Sequence, residues 1–404
     1  MLSRRRFLQA SSLVSLSPLL PSILSNTARA AGADADAKVL VVIQLDGGND
    51  GLNTVVPYAD DAYGRARDKL RLETAELHKL DDHMALHRAM KAAKELYDEG
   101  RLCIVQGVGY PNPDRSHFRS MKIWQTASFD DAAHDAYGWL GKALDWRTQH
   151  AGGRRAADAI YVGEDQTPVA LWGRRSSATA LAQADDLHLT LDPVAGAERA
   201  AADDTLAQFV SREVLSAYAA ADEFAEQQRT RGRASAKSEY PDTQLGNHLK
   251  LVSELLKSGS EGRVFYTSQS GYDTHSVQAY THYRLLRDFS AATKAFLDDM
   301  KAAGLDDRVV LMAFSEFGRR VAENDSQGTD HGTAGPVFLA GAPVAGGLVG
   351  SAPDLTQLED GDLKMQIDFR QVYAALLDDW LEIDSRAVLG QSFEKPRVLS
   401  KSLS

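Results

Sequence analysis

Cysteine is nearly absent from this sequence: Cys103 is the only one among 404 residues. A lone cysteine cannot form a disulfide within the chain, so a small fold held together by disulfides is excluded. Cys103 lies in the apolar run Leu102-Cys103-Ile104-Val105. We therefore predict that its thiol packs in the core and is not a nucleophile.

Positive charge is scarce as well. The chain has 45 Lys and Arg residues against 56 Asp and Glu residues, which gives a formal net charge of −11 at pH 7. General nucleic-acid binding needs an excess of cationic side chains, so this class of function is excluded. Beyond the N-terminal region, no apolar run reaches the roughly 20 residues that a membrane-spanning helix requires. We predict no membrane span in the mature chain.

The first 30 residues carry the pattern of an export signal. The basic cluster Ser3-Arg4-Arg5-Arg6-Phe7-Leu8 precedes a short apolar stretch, 13–24, which two prolines interrupt. Ala28-Arg29-Ala30 then forms a small-x-small cleavage site. Paired arginines before Phe-Leu are typical of the twin-arginine route, which carries folded cargo. We predict a signal peptide at 1–30, the twin-arginine translocase as a partner during export, and a periplasmic or secreted protein; the alternative is an uncleaved anchor.

The remaining residues, 31–404, show the pattern of one large α/β domain. The continuous apolar run at 39–43 is typical of a strand buried on both faces of a parallel sheet. From Thr243 onwards helices and strands alternate, which predicts a three-layer αβα fold with a mainly parallel central sheet. Residues of about 149–241 have weak periodicity, and we interpret them as a helical insertion with its long helical part at 195–228. The other predicted strands are 102–106, 159–162, 169–172, 263–267, 309–314 and 337–339, and the predicted helices are 87–99, 116–125, 244–256, 278–303 and 369–381.

Polar side chains stand next to the ends of these strands. Parallel sheets place their sites beyond the carboxyl ends of the strands, so groups from different strands are expected to meet at one edge. Taken one at a time, these groups also fit ordinary turn or loop positions. The groups are Asp46 and Asp50 after the first strand, Ser116 and His117 after the second, Asp273 and His275 after 263–267, Glu316 after 309–314, and Asp330 with His331 before 337–339.

Such a set suits a divalent metal ion. Imidazoles combined with a carboxylate are typical zinc ligands, whereas carboxylates alone favour magnesium, manganese or calcium. We predict Asp46, Asp273, His275, Glu316 and the pair Asp330-His331 as metal ligands. The main ion is expected to be zinc, and the alternatives are a single zinc or zinc with a harder ion, magnesium, manganese or calcium, at a second position. A bound metal ion supplies a nucleophile at neutral pH by lowering the pKa of a water or hydroxyl.

Ser116 is the candidate nucleophile. It follows a proline-containing loop and opens a predicted helix, whose positive dipole end stabilises a charged hydroxyl and attracts an anionic substrate. Arg115 and His117 flank it and complete the predicted catalytic group, and Arg115 or Arg119 could pair with substrate oxygens. The alternative is that Ser116, or Asp114, merely caps the helix.

Six segments resemble one family. The sequence is similar over nearly its full length to the bacterial domain-of-unknown-function family 1501, in which twin-arginine leaders are usual. The matching segments are Gln44-Leu45-Asp46-Gly47-Gly48-Asn49-Asp50-Gly51-Leu52-Asn53, Asp114-Arg115-Ser116-His117-Phe118, Gly271-Tyr272-Asp273-Thr274-His275, Phe314-Ser315-Glu316-Phe317-Gly318-Arg319, Gly328-Thr329-Asp330-His331-Gly332 and Asp368-Phe369-Arg370-Gln371-Val372-Tyr373.

The resemblance implies a remote branch of the alkaline phosphatase and sulfatase superfamily. Asp46 then stands where that superfamily has a metal-binding aspartate, and Ser116 where it has its nucleophile. Asp273 with His275 resembles the paired Asp and His ligands, and His331 resembles the late histidine ligand. Glu316-Phe317 departs from the pattern, because it replaces an Asp-His pair. This change removes one imidazole from the second metal site, which leaves Asp46 and Glu316 as oxygen ligands unless His117 or Asp330-His331 completes the site.

These observations predict an exported metal-dependent hydrolase of phosphate or sulfate esters. Ser116 would attack, Asp273, His275 and His331 would hold one metal ion, and Asp46 with Glu316 another. Arg115 or Arg319 would bind the anionic oxygens of the substrate. The Glu316-Phe317 departure favours the alternative: an exported binding or scaffold protein that keeps the fold without the chemistry. The predicted location leaves a third alternative, a carbohydrate-binding protein or an envelope-assembly protein with an exported protein partner.

Overall fold

The computed structural model describes residues 37–130, 137–150, 159–176, 178–182 and 239–400. The predicted signal peptide at 1–30 and the predicted helical part of the insertion, 195–228, lie outside these residues. Two sheets are present in the described part of the chain. The larger has the strand order β11-β5-β10-β9-β1-β8-β6-β7 with β12 beside β5, and the smaller has the order β2-β4-β3. The strands are β1 Val39–Asp46, β2 Val55–Val56, β3 His78–Lys79, β4 Ala85–Leu86, β5 Leu102–Gly109, β6 Ala159–Val162, β7 Ala178–Leu181, β8 Val264–Ser270, β9 Val309–Phe314, β10 Gly335–Ala340, β11 Gly347–Val349 and β12 Ile367–Asp368.

The prediction of an α/β fold with a mainly parallel central sheet is confirmed. β1 lies in the middle and pairs in parallel with β8 on one side and β9 on the other. Helices flank this sheet, and the helix Phe369–Ala375 continues into a π-helical segment, Leu376–Leu381. The helices are α1 Gly51–Thr54, α2 Asp61–Ala66, α3 Lys91–Asp98, α4 His117–Thr126, α5 Trp139–His150, α6 Gln244–Lys257, α7 Gln278–Ala302, α8 Phe369–Ala375 and α9 Ser385–Leu389.

Helices cover both faces of the large sheet, so its central strands carry apolar side chains on both faces. Successive side chains of a strand point to opposite faces. Leu40 accordingly packs in one core with Trp124 of α4, whereas Val41 packs in a second core with Phe289 of α7. Cys103 is fully buried in the first core, where burial raises the pKa of its thiol to about 12. This agrees with the structural role expected for it.

β10 is the strand that breaks the parallel pattern. It runs antiparallel to both of its neighbours, β5 and β9. Its amino end therefore lies at the same edge of the sheet as the carboxyl ends of the parallel strands. This direction brings the loop before β10, with His331, to the edge where β1, β8 and β9 end.

One predicted strand, 169–172, is wrong. The segment contains a short 3-10 helix, Val169–Leu171, and the strand that pairs with β6 on the side away from β8 is β7. Pro168 stands directly before the helix, and a short apolar run does not distinguish a strand from a buried helical turn. None of the helices in the described ranges has the length and apolar composition for a membrane crossing.

Candidate metal centre

The edge of the sheet is shaped by a tight turn after β1. Gly47 has a φ of +114°, which L-residues with a side chain rarely adopt, and a Cβ there would lie 2.4 Å from the backbone nitrogen of Asp273. The turn after β1 and the loop after β8 are therefore in direct backbone contact. Only glycine permits this approach, which holds Asp273 at the carboxyl end of the central strand.

Three side chains from different loops converge here. Each of His117, Asp273 and His331 offers one ligand atom, and these atoms all lie within 4.8 Å of one another. His117 opens α4, Asp273 follows β8, and His331 precedes β10. The three positions are far apart in the chain, and the strand directions bring them to one point.

His275 joins the same cluster. Its Nε2 lies 2.9 Å from Nε2 of His331, and each of the two nitrogens lies 3.1 Å from Oδ1 of Asp273. Without an ion, one of the two imidazoles must donate to the other. Tetrahedral zinc ligands, at about 2.0–2.1 Å from the ion, are about 3.3 Å apart, so the observed spacing is close to that of a ligand set.

His117 is oriented by a buried carboxylate. Its Nδ1 lies 2.8 Å from Oε1 of Glu316, and this hydrogen bond raises the pKa of His117. Its Nε2 is inaccessible to solvent, has no hydrogen-bond partner among the described residues, and lies 3.5 Å from Oδ2 of Asp273. A buried nitrogen without a partner costs free energy, so its position needs an explanation.

Glu316 has a different environment from the one predicted for a ligand. The residue is 2% exposed, and its carboxylate is saturated with contacts. Oε1 accepts from the backbone of Gly47 and contacts His117, and Oε2 accepts from the backbone of Gly48 and the hydroxyl of Ser315. The carboxylate thereby connects the turn after β1 to the loop after β9, and it contacts His117 on the Nδ1 side of the ring.

Asp273 is held in its charged form by its neighbours. Burial disfavours its charge, but hydrogen bonds from Arg319 and His331 lower the pKa of Asp273 to about 2. The Nη2 of Arg319 donates to its Oδ1 at 2.7 Å, while its Oδ2 faces His117. The Asp273 side chain remains half exposed, so its charged carboxylate is open to solvent.

Asp330 lies on the outer side of the cluster. Its Oδ1 is 3.1 Å from Nδ1 of His275, and Nδ2 of Asn324 donates to the same oxygen at 3.1 Å. Asn324 also donates to the carbonyl oxygen of His275. These hydrogen bonds lower the pKa of Asp330, that from Asn324 most. No sequence pattern points to Asn324, because an asparagine in a loop is commonplace.

Asp46 is close to the cluster without joining it. Nε2 of Gln44 donates to its Oδ1 at 2.6 Å, and the hydroxyl of Ser270 donates to its Oδ2 at 3.3 Å. Burial raises the pKa of Asp46 to about 6. Asp50, from the same motif, is fully buried and paired with Arg67 in the interior, so it is not at the edge of the sheet.

The loop before α4 contributes Ser116 and its neighbours. Ser116 is exposed and occupies the N-cap of α4, but its hydroxyl makes no capping hydrogen bond. The carbonyl oxygen of Arg115 lies 2.8 Å from Nδ1 of His331. The side chain of Arg115 instead pairs with the buried carboxylate of Asp362, which the sequence did not single out. In the chain, Ser116 therefore lies between His117, which belongs to the cluster, and Arg115, whose carbonyl oxygen contacts His331.

His331 and His275 are predicted metal ligands, and His117 is a predicted catalytic residue. The structure brings these three together with Asp273, Glu316 and Asp330, and leaves Asp46 beside them. Arg319, predicted to bind substrate oxygens, is 2% exposed and faces the interior of the loops. The residues that could hold a metal ion are thus His117, Asp273, His275 and His331.

The comparisons with solved structures return remote likenesses. A protein in the alkaline phosphatase superfamily from Vibrio parahaemolyticus has 10% identity and a TM-score of 0.38 over 90% of this chain and 71% of that one. The C-terminal periplasmic domain of EcEptC from Escherichia coli has 11% identity and a TM-score of 0.39 over 89% of this chain and 88% of that one. The PsFucS1 sulfatase from Pseudoalteromonas sp. has 12% identity and a TM-score of 0.38 over 95% and 78%. Likeness at this level carries no information on activity.

The family comparison is decisive. No curated protein matches the sequence significantly. A family model described as a protein of unknown function (DUF1501) matches residues 37–392, which include β1 and all residues of the cluster. The family prediction from the sequence motifs is confirmed, and the chain belongs to the DUF1501 family.

Proposed function

We propose that this protein is a metal-dependent hydrolase of phosphate or sulfate esters. The observation that carries the proposal is the partnerless, buried Nε2 of His117, which faces the carboxylate of Asp273. A metal ion bound between His117, Asp273 and His331 would satisfy this nitrogen. The motif resemblance to the alkaline phosphatase and sulfatase superfamily supports the same reaction class.

The donor set fits zinc. Imidazole nitrogens with one carboxylate oxygen are the usual ligands of a catalytic zinc site, which keeps one position open. In this proposal His275, whose Nε2 lies 2.9 Å from that of His331, stays beside the ligand set, so that the fourth position remains open. When bound, the ion lowers the pKa of a coordinated hydroxyl or water and so supplies a nucleophile at neutral pH.

Glu316 acts in this proposal as an orienting partner and not as a ligand. A histidine that binds a metal ion through one ring nitrogen usually donates its other N–H to a carboxylate or carbonyl. Glu316 accepts from Nδ1 of His117, and the Arg115 carbonyl oxygen accepts from Nδ1 of His331. Both histidines are thereby fixed with Nε2 directed into the centre.

Ser116 is proposed as the nucleophile. Its hydroxyl is not used in capping α4, and it is flanked by His117 and by the Arg115 carbonyl group that contacts His331. The amino end of α4, a helix of ten residues, offers unpaired backbone N–H groups and a positive dipole to the oxygens of an anionic ester.

An ester-cleavage assay tests this proposal. The protein, loaded in turn with zinc, manganese, magnesium and calcium, is incubated with aryl phosphates and aryl sulfates. We expect turnover of one ester class and a loss of at least about a thousand-fold in Ser116→Ala, because the covalent step is removed. Ser351→Ala, which changes an exposed serine, is the matched control. Equal inactivity of the wild type and Ser116→Ala with every ion and both ester classes rejects the hydrolase.

A second candidate is an exported binding or scaffold protein with a protein partner. Two arginines predicted to hold substrate oxygens are already engaged, Arg115 with Asp362 and Arg319 with Asp273. This pairing favours the non-catalytic alternative. In that case a bound ion would be present, but Ser116→Ala would leave every measured property except stability unchanged.

We also propose export through the twin-arginine route, on the basis of Arg4 and Arg5 ahead of Phe7-Leu8. The full chain carrying Arg4→Lys and Arg5→Lys together should accumulate as precursor in the cytoplasm, whereas the wild type is processed and exported. Cell fractionation measures this. Unchanged export of the wild type in a host that lacks the twin-arginine translocase contradicts the route.

A further inference from the structure

Arg319 is a buried cation that donates hydrogen bonds to five oxygen atoms of the site. Its side chain is 0% exposed, and it follows β9 on the same loop as Glu316. Its Nε and Nη1 donate at 2.7 Å, and its Nη2 donates to three oxygens. The acceptors are the carbonyl oxygens of Gly47, Gly48, Tyr272 and Thr329 and Oδ1 of Asp273.

These acceptors belong to three different loops. They come from the turn after β1, the loop after β8 and the loop before β10, and Arg319 itself lies in the loop after β9. One guanidinium group therefore connects the segments that carry Asp273, His275 and His331 to the turn after β1 and to its own loop after β9. A buried cation requires this degree of compensation, because its lost hydration must be replaced by oxygen acceptors.

A second metal ion, which the superfamily resemblance implies, does not fit these residues. Of its two predicted ligands, Glu316 accepts or shares four hydrogen bonds, and both oxygens of Asp46 accept from neighbouring side chains. Neither histidine that the sequence analysis offered for that position is available. His117 has its Nδ1 on Glu316 and its Nε2 toward Asp273, and His331 has its Nδ1 on the Arg115 carbonyl oxygen and its Nε2 toward Asp273.

We propose that Arg319 takes the place of a second metal ion, so that the centre holds one ion only. The inference rests on the proposed metal centre. Arginine remains protonated at every relevant pH, and it neutralises the inward oxygen of Asp273 while Oδ2 stays directed to His117. A further divalent cation near these oxygens would meet a fixed positive charge that cannot leave.

Ion counting on the purified wild-type protein tests the inference. The protein is stripped with a chelator, dialysed against an excess of zinc or manganese, and washed. Elemental analysis then gives ions per chain, and electron paramagnetic resonance of the manganese form shows whether two ions are coupled. We expect one ion and an uncoupled manganese spectrum. Two ions per chain overturn this inference and leave the proposed hydrolase intact, whereas the absence of any bound ion overturns both.

Two variants test the role of the charge itself. Arg319→Lys keeps a cation among the oxygens and should still bind one ion. Arg319→Ala leaves the five oxygens without a cation, and such an oxygen set suits a hard ion such as manganese or calcium. We expect this variant, once circular dichroism shows that it is folded, to bind a second ion. A folded Arg319→Ala protein that still binds one ion shows that Arg319 only connects the loops, and this result overturns the proposal. If the variant does not fold, the number of ions per wild-type chain decides.

Discussion

Carboxylates of similar sequence context have different roles at the residue scale. Asp46 is the last residue of one central strand and Glu316 follows another, and both were predicted as ligands of one ion. Glu316 is saturated by backbone and side-chain donors and contacts His117, whereas Asp46 accepts two hydrogen bonds and has a raised pKa. The residue type and its place after a strand do not determine which role a carboxylate takes, because the role depends on the donors around it.

Glu316→Gln tests the orienting role. The amide keeps the size of the side chain but loses the charge that fixes Nδ1 of His117 as the donor. We expect the affinity for zinc to fall about 10- to 100-fold, the usual cost of losing an outer hydrogen-bond partner of a ligand. Competition with a chelator measures this. Glu359→Gln, which changes an exposed glutamate, is the control, and unchanged zinc affinity in Glu316→Gln contradicts the assignment.

Asp46→Asn tests the raised pKa of Asp46. In the folded metal-free protein its pKa is about 6, against 3.8 for the ordinary carboxyl, mainly because of burial. Ionisation of Asp46 therefore lowers the free energy of unfolding. The stability of the wild type has its full value below about pH 4, where Asp46 is protonated, and decreases as the pH rises through 6. Relative to the wild type, the variant should gain about 1–3 kcal/mol between pH 4 and pH 8. Urea unfolding in the presence of a chelator measures the gain. An equal difference in free energy of unfolding between variant and wild type at pH 4 and at pH 8 contradicts the raised pKa.

At the scale of elements, the amino end of α7 supports the loops of the centre. Gln278 is fully buried, and its Nε2 donates to Oδ2 of Asp50 at 2.5 Å. Its Oε1 accepts from the hydroxyls of Thr274 and Thr329, which stand next to the loops of His275 and His331. One side chain thus links the Asp50–Arg67 ion pair in the interior to two loops of the cluster.

Gln278→Ala should loosen both loops together. We expect a loss of about 2–4 kcal/mol in the free energy of unfolding, because several buried polar groups lose their partner, and weaker zinc binding at the same time. Gln357→Ala, at an exposed loop position, serves as the control. A destabilised variant with wild-type zinc affinity would show that Gln278 supports the fold and not the centre.

The sequence predicted the elements better than the contacts between them. The apolar run at 309–314 coincides with β9, and the alternation after Thr243 predicted α6 and α7 to within a residue at most bounds. Positions after strands also indicated the shared edge. Which nitrogen faces which oxygen was not predictable, because it depends on the turn at Gly47 and on contacts such as His117–Glu316, 199 residues apart. The strand prediction at 169–172 was wrong for a local reason, because a short apolar run lacks the periodicity that distinguishes a strand from a helical turn.

At the scale of the whole molecule, ion binding should be linked to stability. The cluster joins loops that follow or precede β5, β8 and β10, so an ion held there binds only the folded chain. Free zinc at about 100 times its dissociation constant should then add about 2.7 kcal/mol and raise the melting temperature by a few degrees. Differential scanning calorimetry with zinc and with a chelator measures the shift. His117→Ala should abolish it, and a shift that persists in this variant places the ion elsewhere.

The location of the ion is the most direct test of the account. Crystals of the protein grown with zinc can be measured on both sides of the zinc absorption edge, so that the anomalous difference map shows the metal alone. We predict one peak within about 2.0–2.2 Å of Nε2 of His117, Nε2 of His331 and a carboxylate oxygen of Asp273. A peak between Asp46 and Glu316, or no peak in this cluster, contradicts the account.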